Sequence, residues 1–407
     1  MNHYCAQCDF VIELARRLHE AGSTAPRLED VINSVSRKLG LDTHIWSSPT
    51  AIIATVRPIG AEGDQQTVTR VVRLAPGDIH LRRLWRVDDI AERVARGEYS
   101  AAEGMRALAQ AAKPDSERRQ WLETVFGFLL ASAGVAGLLK GSPADIGSAA
   151  ALGLMLGVLA QLAPARPRLA ATFEALAAFL VALMTAYIAY AWTPISPLVL
   201  TAGLIVLLPG LSLTTAAAEV ATQHLVSGTA RFAGAVAVLL KLAFGALLGS
   251  RLASALGWGA PDAMAHLQAP WMEVASLITA ATAFALLFKA RIRDWWVVFL
   301  AAGISYLTTR FASPALGAEL GLFIAAFVIT VLSNLYARWT NRPGATFRLP
   351  GLILLVPGSV GFRSLTFVFE KDVFLGLDTA FSVVTLIAAL VAGLLLGNSV
   401  VPPRAGM

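Results

Sequence analysis

The stretch "GLIVLLPGLSLTTAAAEV", residues 203–220, begins as an apolar membrane helix and is then interrupted by Pro209-Gly210. The interruption is followed by polar side chains, Ser212, Thr214, Thr215 and Glu219. Proline removes a backbone hydrogen-bond donor and glycine loosens a helix. Because lipid offers no hydrogen bonds, the freed backbone groups need partners inside the protein or in a wet cavity. The stretch therefore predicts a broken membrane helix.

The composition predicts a soluble domain followed by a membrane domain. The chain has 407 residues, of which 56% are hydrophobic and 15% are charged, with a mean hydropathy of +0.63. Charged residues are concentrated before Trp121, and long apolar runs follow it. The net charge of +6 does not indicate nucleic-acid binding, because the basic residues of the apolar part cluster in short loops, as membrane topology requires.

Ten segments are long and apolar enough for a crossing, which takes about 20 residues. They are roughly 121–139, 146–163, 169–192, 197–224, 229–256, 271–290, 294–311, 314–337, 349–371 and 373–399. Arginine and lysine are in excess on alternate loops, which predicts cytoplasmic N- and C-termini. The N-terminus does not resemble a cleavable signal. We therefore expect a multi-pass protein of the cell inner membrane.

An internal repeat relates the two halves of the membrane domain. With a shift of 148 residues, 206–250 aligns without a gap on 354–398. Five Pro/Gly pairs coincide: Pro209 with Pro357, Gly210 with Gly358, Gly228 with Gly376, Gly245 with Gly393, and Gly249 with Gly397. Each repeat holds five crossings, an odd number, so the second repeat must enter the membrane from the opposite side. The predicted units are a cytoplasmic domain (1–118) and two inverted five-helix repeats (119–258 and 259–407).

The paired breaks predict a substrate site near the bilayer midplane, where the discontinuous helices of inverted repeats meet. A helix that begins at a break directs free N–H groups and a positive dipole end at a ligand, which suits a carboxylate. The candidate binding residues are Pro209, Gly210, Ser212, Thr214, Thr215, Pro357, Gly358, Ser359 and Arg363. The alternative is a pair of proline kinks whose hydroxyls bond their own backbone.

Ionisable side chains inside the membrane are costly and indicate function. Four are candidates for ion coupling or gating: Glu219, Lys241, Glu174 and Glu319. Glu219 is the first choice for a proton coupler, with an inner-gate role as the alternative. Lys241 could pair with Glu219 or with a substrate carboxylate. Glu174 and Glu319 could each carry a proton or lie at the headgroup interface.

The first 118 residues predict a small α+β domain. Helical periodicity covers 8–20, 27–39, 87–96 and 100–113, and three β-branched runs, "THIWSS", "AIIATV" and "TVTRVVRL", predict strands. Catalytic and phosphate-binding motifs are not seen, so regulation, assembly and gating stay open. Cys5 and Cys8 have the spacing of half a zinc site, but a structural zinc takes four ligands, so no metal or cofactor is expected.

Two motifs resemble those of the threonine/serine exporter family: "LLPGLSLTTAAAEVATQHLVSG" (207–228) and "ILLVPGSVGFRSL" (353–365). The N-terminal "LARRLHEAGSTAPRLEDVINSVSRKLGL" (14–41) is similar to the soluble domain of that family. The resemblance implies export of small hydroxy amino acids driven by the proton motive force. Related members divided into two chains have been tied to dicarboxylate export. Here Thr214-Thr215 replaces the Thr-Asn that is frequent in the family, while Glu219 and His224 stand where Asp is frequent.

The predicted function is therefore secondary export of threonine or serine, by antiport with protons, and not catalysis. Export of a small dicarboxylate such as succinate is the alternative, and an intramembrane enzyme or a scaffold is a weaker one. The expected partners are a small-molecule substrate, protons and the lipid bilayer, with no nucleic acid. The oligomeric state stays open, a homo-oligomer included.

Overall fold

A computed structural model of the chain describes residues 3–60, 67–258, 269–369 and 372–404. The N-terminal part contains four helices and an antiparallel sheet of order β1-β2-β3. Its elements are α1 (His3–Glu20), α2 (Ala25–Lys38), β1 (Leu41–Ser48), β2 (Ala51–Pro58), β3 (Val68–Arg73), α3 (Leu81–Ala95) and α4 (Ala101–Ala111). The small three-stranded sheet predicted for this region is confirmed.

The N-terminal elements, the predicted soluble domain, share one core to which all four helices and strands β1 and β2 contribute buried residues. Phe10, Leu14 and Leu18 recur at helical spacing and are fully buried, so α1 turns one apolar face inward. Alternate residues of β2, among them Ile52 and Val56, are buried as well. The period of two in the strand and of about four in the helix thus place both apolar faces on one core.

The rest of the chain is helical. Its helices are α5 (Glu117–Leu138), α6 (Pro143–Leu162), α7 (Pro167–Ala191), α8 (Leu198–Leu204), α9 (Gly210–Ala221), α10 (Leu225–Ala255), α11 (Pro270–Leu287), α12 (Trp295–Leu316), α13 (Ala318–Thr340), α14 (Ala345–Ile353), α15 (Gly358–Phe369) and α16 (Val373–Val400). Among the described residues, eight spans have the length and apolarity of a membrane crossing, with α14 and α15 taken together, and the bent pair α8–α9 makes nine. The multi-pass membrane class is confirmed.

Helix α12 corresponds to the seventh predicted crossing but is not among these nine spans. Its 22 residues are long enough to cross, at about 1.5 Å per residue. Polar side chains at Ser305, Thr309 and Arg310 lower its apolar content. A count of ten crossings therefore depends on this one helix.

Both expected helix breaks are present. Helix α8 passes into a 3-10 turn over Ile205–Leu207, and α9 then starts at Gly210 with an axis bent by 57°. In the second half, α14 ends at Ile353 and α15 starts at Gly358. Each break lies where proline withholds a backbone N–H and glycine relaxes the chain.

The soluble domain packs against one end of the membrane helices. The Leu81 N–H at the start of α3 donates to the Phe288 carbonyl after α11, at 2.9 Å. Ala345, the first residue of α14, packs on the core of the soluble domain. Arg404 in the C-terminal tail donates to Glu92 of α3 at 2.5 Å. The loop after α11, the start of α14 and the tail therefore lie on the same side as the soluble domain.

Helix packing recurs at the spacing of the sequence repeat. Gly245 of α10 lies against the Ala175 carbonyl of α7, and Gly393 of α16 lies against the Phe323 carbonyl of α13. Gly245 and Gly393 are 148 residues apart, and so are Ala175 and Phe323. The same shift relates three further pairs of contacts: Gly249 on the Phe179 carbonyl with Gly397 on the Phe327 carbonyl, Gly228 on the Ala216 carbonyl with Gly376 on the Ser364 carbonyl, and Gly228 on Val220 with Gly376 on Val368. The α7–α10 and α13–α16 pairs thus use the same close contacts.

Candidate functional site

The two helix breaks contact each other at their glycines. A Cβ atom added to Gly210 would lie 3.2 Å from both N and Cα of Gly358, and one added to Gly358 would lie 3.0 Å from Cα of Gly210. Because α9 and α15 begin at these residues, the N-termini of two helices meet. The first-turn N–H groups of a helix have no acceptor within it, and they carry the positive end of its dipole. The site can therefore stabilise an anionic group.

Thr214 adds an unpaired hydroxyl one turn into α9. The residue is 2% exposed, and its Oγ1 has no hydrogen-bond partner within the described residues. Burying a hydroxyl without a partner costs about 1–3 kcal/mol. Neighbouring Thr215 is half-buried and Ser212 is exposed. Of the three predicted hydroxyls of α9, Thr214 is the one enclosed by protein.

The second break contributes a hydroxyl and a positive charge. Ser359 is half-buried in the first turn of α15. Arg363 lies one turn further on, exposed, with its guanidinium carbon 5.8 Å from the centre of the Phe367 ring. Among the described residues, Arg363 has no carboxylate partner. Its charge is therefore available to a ligand near the start of α15.

Glu219 lies at the other end of α9, where it contacts the soluble domain. It is 1% exposed and accepts hydrogen bonds from the Ala25 N–H at 3.1 Å, Ser227 Oγ at 2.8 Å and Arg231 Nε at 3.0 Å. Ala25 is the first residue of α2, so the carboxylate caps a helix of the soluble domain. The contact joins residues 194 positions apart. Sequence reasoning identified Glu219 but not these three partners.

A second contact connects the same two parts of the chain. His224, between α9 and α10, has its Nε2 3.3 Å from Oε2 of Glu29 in α2. Burial raises the pKa of the Glu29 carboxyl, while a hydrogen bond from the Ser47 N–H opposes the shift. Burial raises the pKa of Asp30 as well. The end of α9 and the loop after it thus contact helix α2 through two carboxylates, Glu219 of α9 and Glu29 of α2.

The other candidate ionisable residues lie apart from the helix breaks. Lys241 Nζ of α10 is 3.5 Å from Glu174 Oε2 of α7, so it pairs with Glu174 and not with Glu219. The side chains of Lys241 and Glu174 are 45% and 24% exposed. Glu319, at the start of α13, is exposed and has no ion pair among the described residues. The four predicted coupling or gating residues therefore occupy three separate places.

The structure adds a polar cluster that the sequence did not reveal. Glu273 of α11 is 3.1 Å from Arg310 Nε of α12, and it accepts a hydrogen bond from the Tyr306 hydroxyl. Tyr306 and Arg310 are four residues apart, so they share one helix face. That spacing is the feature of the sequence that could have indicated the cluster. Only the packing of α11 on α12 brings Glu273 to them.

The Cys5-Cys8 pair is only partly described. Cys8 is buried in the soluble core, and the side chain of Cys5 lies outside the described residues. The described part of the chain contains no group of three or more His, Cys, Asp or Glu side chains placed to hold a metal ion.

Sequence comparisons identify related proteins over most of the chain. Residues 9–253 match the family described as "Putative threonine/serine exporter", and residues 273–400 match "Threonine/Serine exporter, ThrE". Pheromone-regulated membrane protein 10 of Candida albicans (strain SC5314 / ATCC MYA-2876) is 25% identical over 369 residues, 87% of this chain and 33% of that protein. The protein of the same name from Saccharomyces cerevisiae (strain YJM789) is 26% identical over 371 residues, 87% of this chain and 46% of the relative. The chain spans less than half the length of these curated relatives. No solved structure matches.

Proposed function

Because the chain belongs to the threonine/serine exporter family, we propose that it is a secondary exporter of threonine and serine driven by the proton motive force. The single observation that carries the proposal is the contact between the two helix breaks at Gly210 and Gly358. The protein lies in the inner membrane with its soluble domain and both termini in the cytoplasm. The side with the soluble domain also has most of the loop arginines, in agreement with the positive-inside rule.

The proposed architecture has ten crossings in two inverted five-helix repeats, with α12 as the tenth. The directions in which the two broken spans cross the membrane support the inversion. Helix α9 ends beside the soluble domain, where Glu219 bonds Ala25, whereas α14 begins beside it, at Ala345. The broken span α8–α9 therefore runs toward the cytoplasm and α14–α15 runs away from it. The glycine contacts that recur at 148 residues support two repeats of one fold.

The substrate binds where the two half-helices begin. The N-terminal N–H groups of α9 and α15 bind the amino-acid carboxylate, and Thr214 bonds the substrate hydroxyl. Arg363 supplies a positive charge near the second helix start. Gly210 and Gly358 are in contact, so the half-helices must part to admit the substrate and close again after its release. Such movement of one repeat against the other is the general mode of alternating access.

Glu219 serves as an inner gate in this proposal. Its bond to Arg231 connects the moving half-helix α9 to α10, and its bond to the start of α2 connects α9 to the soluble domain. Breaking a buried ion pair leaves an uncompensated charge, so these contacts resist separation. The Lys241–Glu174 pair and Glu319 are then the candidates for coupling export to protons. A proton-coupling role for Glu219 itself is the competing hypothesis, and one variant separates the two.

Replacing Thr214 by valine tests the substrate site. Valine has nearly the shape of threonine and removes a buried hydroxyl that has no partner in the described structure, so stability should stay equal or rise. Export should fall, because the substrate hydroxyl loses its bond. The matched control is Thr330→Val in α13. The Thr330 hydroxyl is equally buried but donates to the Ala326 carbonyl at 2.7 Å, so it has a structural role.

The assay uses the purified full chain in liposomes with an imposed pH gradient. Labelled threonine, serine and succinate are offered in parallel. We expect transport of threonine and serine, a loss of at least tenfold for Thr214→Val, and a small change for Thr330→Val. Transport of succinate alone would favour the dicarboxylate exporter. Equal rates for wild type and Thr214→Val would remove Thr214 from the site, and no transport of any of the three would overturn the proposal.

A further inference from the structure

A cluster of arginines lines a cavity where the soluble domain meets the membrane helices. The cavity has a volume of 380 Å³ and is enclosed by α3, the start of α5 and the loop between α11 and α12. Its lining consists of Arg82, Trp85, Arg86, Arg119, Arg291, Ile292 and Arg293. Five positive side chains from three separate segments converge here. None of them belongs to the substrate site.

The arginines are only partly neutralised. Arg82 donates to Asp115 at 3.1 Å, and both Arg82 and Arg119 donate to one oxygen of Glu123 at 2.8 Å. Arg291 lies 3.9 Å from Asp294, which also pairs with Arg342 at 2.7 Å. Arg86 and Arg293 are exposed and have no ion pair among the described residues. The cavity therefore keeps an excess of positive charge.

Arg291, which lines the arginine cavity, and Trp295, which lines a neighbouring apolar cavity, each have a buried donor. The Arg291 guanidinium lies 3.9 Å above the centre of the Trp85 ring, which fixes its plane. Its Nη1 is buried without a hydrogen-bond partner within the described residues, and the same holds for Nε1 of Trp295. Buried donors without acceptors are costly. Phosphate oxygens accept from guanidinium groups, so a phosphate bound in the arginine cavity would give Arg291 the acceptor that it lacks.

An apolar cavity of 520 Å³ adjoins the arginine cavity and shares Arg119 and Ile292 with it. It lies between α5 and the end of α11, two spans of the membrane domain. Its apolar walls are Leu122, Phe126, Leu130, Leu286, Ile292 and Trp295. The polar part is at the end facing the soluble domain, and the apolar part extends along the helices. This arrangement matches the two parts of a phospholipid.

We infer that these two cavities form a binding site for an anionic phospholipid of the cytoplasmic leaflet. The phosphate binds between Arg86, Arg291 and Arg293, and an acyl chain lies along the groove between α5 and α11. Basic pockets between membrane helices on the cytoplasmic side are a common way to bind anionic headgroups. The lipid would bridge α3 of the soluble domain to the membrane helices, so binding stabilises their contact.

The experiment measures lipid binding to the purified full chain in detergent, by native mass spectrometry and by thermal stability. The probes are phosphatidylglycerol and phosphatidylcholine with identical acyl chains, and inorganic phosphate. The test variant is Arg86→Gln/Arg293→Gln. The matched control is Arg166→Gln/Arg168→Gln, which removes two exposed arginines at the start of α7. Leu130→Trp fills the apolar groove and leaves the arginines in place.

We expect phosphatidylglycerol to bind and to stabilise the wild type, with phosphatidylcholine weaker by at least tenfold. Arg86→Gln/Arg293→Gln should lower the affinity for phosphatidylglycerol about tenfold, Leu130→Trp should also lower it, and the Arg166/Arg168 control should bind as the wild type does. An equal loss in that control would reduce the effect to general surface charge. If inorganic phosphate stabilises the protein as well as the lipid does, or if Leu130→Trp binds normally, the site recognises a free anion and the lipid assignment is wrong.

Discussion

The contact between the two helix breaks predicts that a single methyl group at either glycine will impair export. Replacing Gly210 by alanine places Cβ in steric overlap with Cγ1 of Val356 and 3.2 Å from the Cα of Gly358, and replacing Gly358 places it 3.0 Å from the Cα of Gly210. Carbon atoms pack at about 3.5–4.0 Å. In Gly210→Ala the Val356 side chain must shift, and in either variant the half-helices must move apart by roughly 0.3–1.0 Å, because the backbone of the facing glycine cannot rotate away.

The energetic cost follows from overpacking, which typically amounts to about 1–3 kcal/mol. The closed contact would become roughly 5- to 150-fold less populated relative to separated arrangements, since about 1.4 kcal/mol corresponds to a factor of ten. If closure is a step of the transport cycle, export should fall by at least about fivefold in Gly210→Ala and in Gly358→Ala. The loss of export in the double variant should be smaller than the two single losses combined, because both methyl groups widen the same gap.

The assay compares threonine export from liposomes that contain equal amounts of each variant. Gly234→Ala in α10 and Gly303→Ala in α12 are matched controls, because a Cβ at either position meets no atom within 4 Å. Alanine is also the better helix former, so both controls should be at least as stable as the wild type. Export at the control rate by both Gly210→Ala and Gly358→Ala would show that the close approach is not needed, and the proposed site would fail.

Three further predictions concern the gate, the soluble domain and the topology. Glu219→Gln should reduce proton-driven export and downhill exchange alike if Glu219 is a gate, whereas loss of the driven export alone would identify it as the proton coupler. Burial lowers the pKa of His80 to about 3, so His80 is neutral in the folded protein. Its contribution to the free energy of unfolding is complete above about pH 6.5 and is lost as the pH falls below that value. Acidification to pH 5 should lower the free energy of unfolding by about 2 kcal/mol through this group. His80→Asn keeps a side-chain cap for α3, and its melting temperature should fall less on acidification than that of the wild type. An equal fall in the two proteins would contradict this. Single cysteines at Ala165, between α6 and α7, and at Ala315, in the last turn of α12, should be labelled from opposite sides of the membrane in a background without native cysteines. Labelling from one side would exclude the inverted repeat.

The amino-acid sequence by itself determined the positions of the helices and of their breaks. Crossing segments are recognisable because about 20 apolar residues are needed whatever the neighbours are. The break at Pro209-Gly210 is equally local, since proline lacks the N–H that a continuous helix requires. The repeat was visible for the same reason: close helix contacts at Gly245 and Gly393 admit no side chain, so the glycines mark the packing.

The tertiary structure decided which polar groups meet. Glu219 contacts Ala25 across 194 residues, Lys241 pairs with Glu174 across 67, and Arg291 stacks on Trp85 of the soluble domain. Hydrophobic periodicity gives the face of each helix that is buried, but not the neighbour against which it is buried. Ion pairs and hydrogen bonds require approach to within about 3–4 Å. Such distances depend on the packing of whole helices and domains, and so the contacts of Glu219 and the arginine cavity became apparent only in three dimensions.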